Sequence, residues 1–154
     1  MPSNLGAAIY GLITVGALLA AESTQQETYS ATLVAVVITL IVYGLAHSYA
    51  DFTSWRLEKS KPIALDDLRR TLRSQLPILA GAGIPLIALL AAWALGASLD
   101  SAVTVAIWAA AAAIVAIEFI AGLRAGQTGR ALVTQTAVGA LLGGLMVVIR
   151  LVLH

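Results

Sequence analysis

The chain has 154 residues, of which 60% are apolar and 11% charged, and its mean hydropathy is +0.92. Soluble domains run about 45–50% apolar and about 25% charged, so composition excludes a soluble globular domain, and it excludes disorder, which needs low hydrophobicity and high charge. Nine basic against eight acidic residues leave a net charge of +1, too balanced for a nucleic-acid binder acting through bulk charge, and the lack of cysteine removes disulfides and thiolate sites.

What remains is a polytopic, all-α integral membrane protein. A hydrocarbon core about 30 Å thick needs roughly 20 apolar residues at about 1.5 Å rise each. Five stretches meet that need: 5–21, 29–50, 76–97, 102–123 and 131–149. They form one transmembrane domain over 1–154, a bundle of five helices with no separate soluble domain and no evident repeat. The first stretch could serve as a secretory signal, but residues 1–4 hold no Lys or Arg. Nor does Ala17-Leu18-Leu19-Ala20-Ala21 offer a clean small-x-small cleavage site, so a retained helix is expected.

Sidedness follows from the basic residues. Arg56, Lys59, Lys61, Arg69, Arg70 and Arg73 lie between spans two and three, and Arg124 and Arg130 between spans four and five. The opposite loops hold Glu22, Glu27 and Asp100 with no Lys or Arg. The expected orientation is N-terminus in the cytoplasm and C-terminus outside, in the plasma (inner) membrane. Seven Arg to two Lys, with abundant Ala and Gly, suit a bacterial source.

Between spans two and three, 61–73 has a helical pattern. Pro62 suits a helix start, Asp66 and Asp67 fall early, and the Arg residues fall late, as the helix dipole favours. Leu65, Leu68, Leu72 and Leu76 recur on one face. This basic amphipathic segment within 51–75 could place Arg69, Arg70 and Arg73 against anionic lipid headgroups. The positive-inside rule alone would also require its charge.

Ionisable groups at depth cost about 2.5–3.5 kcal/mol at a helix centre, so each needs a reason. On span two, Tyr43, His47 and Asp51 share one face at i, i+4, i+8. On span four, Glu118 precedes Arg124 by six residues, about 9 Å along the axis. Span five begins with Thr134, Gln135 and Thr136, and span one carries Asn4 and Tyr10. The expectation is that these groups of four helices meet at one level in the cytoplasmic half.

Such a cluster has three readings. It handles protons or small cations, with Glu118 as central carboxylate, His47 as titrating partner, Asp51 as relay, and Tyr43 and Gln135 in the path. It only fixes helix packing in a structural or interaction subunit. Or His47, Asp51 and Glu118 bind a metal, for which the pattern lacks the density of a metal transporter. The first is preferred, with no metal and no cofactor.

On span three, Pro85 removes one backbone bond and strands the carbonyl of Gly81, so a kink or local unwinding is expected there. Gly139 and Gly143 form G-x-x-x-G on span five, and Ala7-x-x-x-Gly11 is similar on span one. Both mark helix association within or between protomers, and a transport path favours a homo-oligomer. Trp93 and Trp108 are placed near outer helix ends and Trp55 near the inner end of span two, as an aromatic belt. Arg150 is expected to snorkel outward or to pair with Asp100, Glu22 or Glu27. No Walker loop, dinucleotide fingerprint, H-E-x-x-H or nucleophile elbow occurs, and the glycine-rich 122–129 joins two spans, so no enzyme is expected.

Overall fold

The computed structural model describes residues 4–21, 28–59, 73 and 76–153. It is all-helical, with five helices and no strand among the described residues: α1 Asn4–Ala21, α2 Tyr29–Lys59, α3 Leu76–Ala94, α4 Leu99–Arg124 and α5 Gly129–Leu153. Four of them, α2 to α5, are long and apolar enough to cross a membrane. The expectation of five full spans is corrected at α1, whose 18 residues extend about 27 Å. α2 does not stop at Ala50 but continues to Lys59, because nothing in 51–59 is a Gly or Pro that would end it. The basic segment 61–73 lies outside the described residues except for Arg73, which is exposed.

Two turns, 95–98 and 125–128, share one design. Gly96 (φ 81°) and Gly126 (φ 72°) take the left-handed conformation that a side chain disfavours. In the first, the Gly96 N–H bonds the Trp93 carbonyl at 2.9 Å and the Ala97 N–H bonds that of Ala92 at 3.0 Å. In the second, Gly126 bonds Leu123 and Gln127 bonds Gly122, both at 3.0 Å. Each is a Schellman cap, which satisfies carbonyls left over at a helix end and turns the chain back at once. α4 then starts on Ser98, whose hydroxyl accepts the Ser101 N–H at 3.3 Å, with Asp100 in its first turn and Arg124 in its last.

α1 is the enclosed helix. It packs on α3, α4 and α5, and Leu12, Val15, Leu19 and Ala20 are all buried. Small residues allow this. A methyl on Gly11 would overlap the Ile78 carbonyl oxygen, and one on Gly81 would overlap that of Ala8, so the α1 and α3 backbones touch directly. Gly16 makes room for the Met146 thioether and Ala110. Gly143 lies against Ala111, where a methyl would stand 2.9 Å from the alanine Cβ. The G-x-x-x-G of α5 thus associates with α4 of its own chain.

α2 stands apart. It touches α1 and α3 only lightly, through a stripe of Thr32, Val36, Leu40 and Ser48, while Val37, Ile38, Ile41, Val42 and Leu45 are exposed. Its start is fastened by Tyr29, whose hydroxyl donates to the Ala97 carbonyl at 2.5 Å and whose ring meets Trp93. An outer surface this apolar, repeated on α5 at Leu141, Leu145, Val148 and Leu151, fits a lipid surrounding.

Two sequence expectations change here. α3 runs as unbroken helix through Gly81 and Pro85, so of the kink or local unwinding expected there, the unwinding does not occur. Both residues are buried, and the contact with α1 takes up the space that Gly81 leaves. Trp108 lies nine residues past the start of α4, about 14 Å along its axis, which is deeper than a helix-end belt. Trp93 does sit at a helix end, while the Trp55 side chain lies outside the described residues.

Gly81→Ala should lower stability by about 2 kcal/mol or more, because the added methyl meets rigid backbone rather than a side chain that can turn away. Gly83→Ala and Gly144→Ala, which meet open space, should change it by no more than about 0.5 kcal/mol. Thermal unfolding in detergent reads the difference, and equal effects at the three positions would refute the backbone contact.

Candidate functional site

The polar groups of the bundle divide into two sets near the end that carries the 125–128 turn. The first is on α4 and α5. Gln135 Nε2 donates to Glu118 Oε2 at 2.8 Å and to the Glu118 backbone oxygen at 3.4 Å. Glycine makes room for the pair: at Gly139, one turn beyond Gln135, a methyl would stand 2.9 Å from Glu118 Cγ. Gly122, one turn beyond Glu118, is buried, and the side-chain oxygens of Gln127 and Gln135 both lie 3.5 Å from where its Cβ would be. Gln127 Oε1 is buried without a hydrogen-bond partner among the described residues. Glu118 thus meets Gln135 beside Gly139, and the amide oxygens of Gln127 and Gln135 flank Gly122, where the Leu132 methyl occupies the space a Cβ would need.

The second set is on α1 and α2. Tyr10 stacks on Tyr43 with ring centroids 5.3 Å apart, and Tyr43 stacks on His47 at 5.9 Å. Tyr10 and His47 are exposed and Tyr43 half-buried. Ser48, next to His47 and turned inward, is buried with an unpartnered hydroxyl among the described residues. Asp51 falls on α2 as the sequence suggests, but its side chain lies outside the described residues, as do Arg69 and Arg70.

The single four-helix cluster is thus not what forms. Glu118 bonds to Gln135, not to His47, because α2 packs against α1 and α3 rather than against the α4–α5 pair. Thr134 and Thr136 do not reach across either: their hydroxyls return to the carbonyls of Arg130 and Leu132 on their own helix, a common use of threonine within a helix. Among the described residues no three His, Asp or Glu gather in a way that could hold a metal.

Sequence inspection missed Gln127 and Gly122. Both lie in the glycine-rich 122–129 stretch, whose sequence reads as a connection between two spans. The available signal was the spacing, since Gly122 follows Glu118 by one helical turn on the same face. At the other end of the bundle Arg150 is buried and pairs with Asp100, one of the three partners expected for it.

No protein family, curated protein or solved structure matches this chain.

Replacing Gln135 by Leu should cost about 0.6 kcal/mol of stability and no more than about 1.7, the range of interhelical polar contacts in a bilayer. Gly139→Ala, which presses on the Glu118 side chain, should cost more. A denaturant titration of both variants in mixed micelles checks the order, and a larger loss for Gln135→Leu would reverse the roles of bond and space.

Proposed function

We propose that this chain is an integral membrane protein that handles protons or small cations at the Glu118–Gln135 pair. The supporting observation is an imbalance of charge and donors. An ionised carboxylate offers about four lone-pair sites and a full negative charge, and among the described residues the Glu118 side chain takes one bond, from the neutral amide of Gln135. A second acceptor, Gln127 Oε1, is buried beside Gly122, one helical turn from Glu118, without a donor among the described residues. Positive charge would complete such a site, because a half-buried carboxylate on an apolar helix is costly without compensation. A proton or a small, oxygen-seeking cation meets that requirement.

The setting supports the same reading. Glu118 precedes the end of α4 by six residues, about 9 Å, within reach of the aqueous face. The C-terminal end of α4, with its partial negative charge, lies on that side and favours a cation. The Tyr10–Tyr43–His47 stack is at the same end of the bundle, where His47 and Asp51 would relay protons to water rather than bind Glu118 directly. Eight of nine basic residues fall in 51–75 and 124–130, which by the positive-inside rule would put that end in the cytoplasm and the chain in a bacterial plasma membrane. Three helices packed closely around α1 leave little room for an aqueous path, so passage would run between protomers of a homo-oligomer.

A second reading has its own observation. α2 is barely held and exposes a long apolar face, as would suit a structural or interaction subunit that docks another membrane helix there, with the basic segment 51–75 on anionic headgroups.

Liposomes holding the purified protein and a pH- or cation-sensitive dye separate the two. Wild type should dissipate an imposed gradient at least about tenfold faster than Glu118→Gln, which keeps the shape and loses the charge. No flux over empty vesicles under any gradient would leave the interaction reading, and equal flux in the variant would remove Glu118 from the path.

A further inference from the structure

At the end of the bundle opposite Glu118, α4 and α5 enclose a cavity of about 320 Å³. It is lined on α4 by Asp100, Thr104, Ile107 and Trp108 and on α5 by Val147 and Arg150. Asp100, Thr104 and Trp108 follow one another at i, i+4, i+8, so the lining runs about 12 Å down one helix face. Its polar groups and its apolar groups are segregated along that line. The top holds the Arg150–Asp100 ion pair. The lower wall is Ile107, Val147 and the exposed ring of Trp108.

The ion pair is asymmetric. The Arg150 side chain is 6% exposed and that of Asp100 64%. Arginine is thus set into the wall, and the carboxylate stands at the rim. We propose that this groove binds one zwitterionic phospholipid with a primary ammonium in its headgroup, of the phosphatidylethanolamine type. Its phosphate lies on Arg150, its ammonium on Asp100, and the first part of an acyl chain lies over Trp108 and Val147.

Charge complementarity selects that occupant. Arg150 and Asp100 present one charge of each sign to the groove, so a purely anionic head would meet Asp100 and a purely cationic one would meet Arg150. A dipolar head satisfies both. A guanidinium presents five N–H donors in a fork and can serve a carboxylate and a phosphate oxygen together. A primary ammonium donates hydrogen bonds to Asp100, which a trimethylammonium cannot. The cavity has room for a headgroup and the first methylenes, and the exposed apolar faces of α4 and α5 continue the path of the chain below it. Trp108 is explained as well: deeper than a helix-end belt, it sits where an acyl chain passes.

Native mass spectrometry of the delipidated protein in detergent, titrated with one lipid at a time, tests this. Phosphatidylethanolamine should bind at least about tenfold more tightly than phosphatidylcholine or phosphatidylglycerol of the same chains, the size expected for one charge-assisted hydrogen bond. Free O-phosphoethanolamine at equal concentration should not compete; competition on a par with the lipid would make a soluble phosphate the ligand and overturn the lipid assignment. Asp100→Asn should abolish the preference among headgroups, because the Asp100 carboxylate is what distinguishes a primary ammonium from the other two heads. Should that variant unfold, Thr104→Phe, which fills the cavity and leaves the ion pair in place, should abolish tight binding in a folded protein. Equal affinity for the three lipids in wild type, or an unchanged preference in a folded variant, overturns the proposal.

Discussion

The bundle depends on direct contact between the backbones of α1 and α3. Inside a bilayer, apolar side chains gain nothing by leaving lipid for one another, so helices associate through close packing and through the few polar bonds available. Gly11 against Ile78 and Gly81 against Ala8 bring two helices as near as helices come. That approach draws α1 into the centre, where Leu12, Val15 and Leu19 become the core of the whole chain. A helix of 18 residues is short for a span taken alone. Enclosed by α3, α4 and α5, it has little surface that must match the thickness of lipid.

From that centre the other features follow in order of distance. α4 supplies alanines at 102, 106 and 110, all buried, so it can lie close to its neighbours along its length. α5 lies on α4 through Gly139 and Gly143. The same glycines that permit the contact leave the space in which Glu118 meets Gln135, so packing and polar chemistry on this helix pair share one cause. α2 has no glycine in such a contact; nothing lies within 4 Å of where a methyl on Gly44 would be. It therefore leans on the bundle through a narrow stripe, and Tyr29 fastens its start.

This arrangement also separates the polar groups. Two pairs of helices each carry a polar set to the same end, one centred on Glu118 and one on Tyr43. They stay apart because the α1–α3 contact places α2 on one flank, away from the α4–α5 hairpin. At the far end, Arg150 and Asp100 close that hairpin from opposite strands of the chain, fifty residues apart. An arginine with so little exposure at the end of a greasy helix is held there by its carboxylate and by the walls of the groove, not by snorkelling to water.

The amino-acid order alone determined the all-helical class of the molecule and four segments long and apolar enough to cross a membrane. These are properties of single segments: apolar length, charge count and helical spacing are written locally and need no neighbour. Arg150 with Asp100 was also legible, since an isolated cation opposite three acids has few partners. Only the tertiary structure decided that α1 is central, that Gly139 and Gly143 serve α4 of the same chain, that α3 stays helical through Pro85, and that Glu118 belongs with Gln135 rather than with His47. The reason is that every residue on an apolar helix has the same affinity for lipid as for another helix. Which face turns inward is then settled by shape, where two glycines let backbones meet, and shape of that kind leaves almost no periodic trace in the chain.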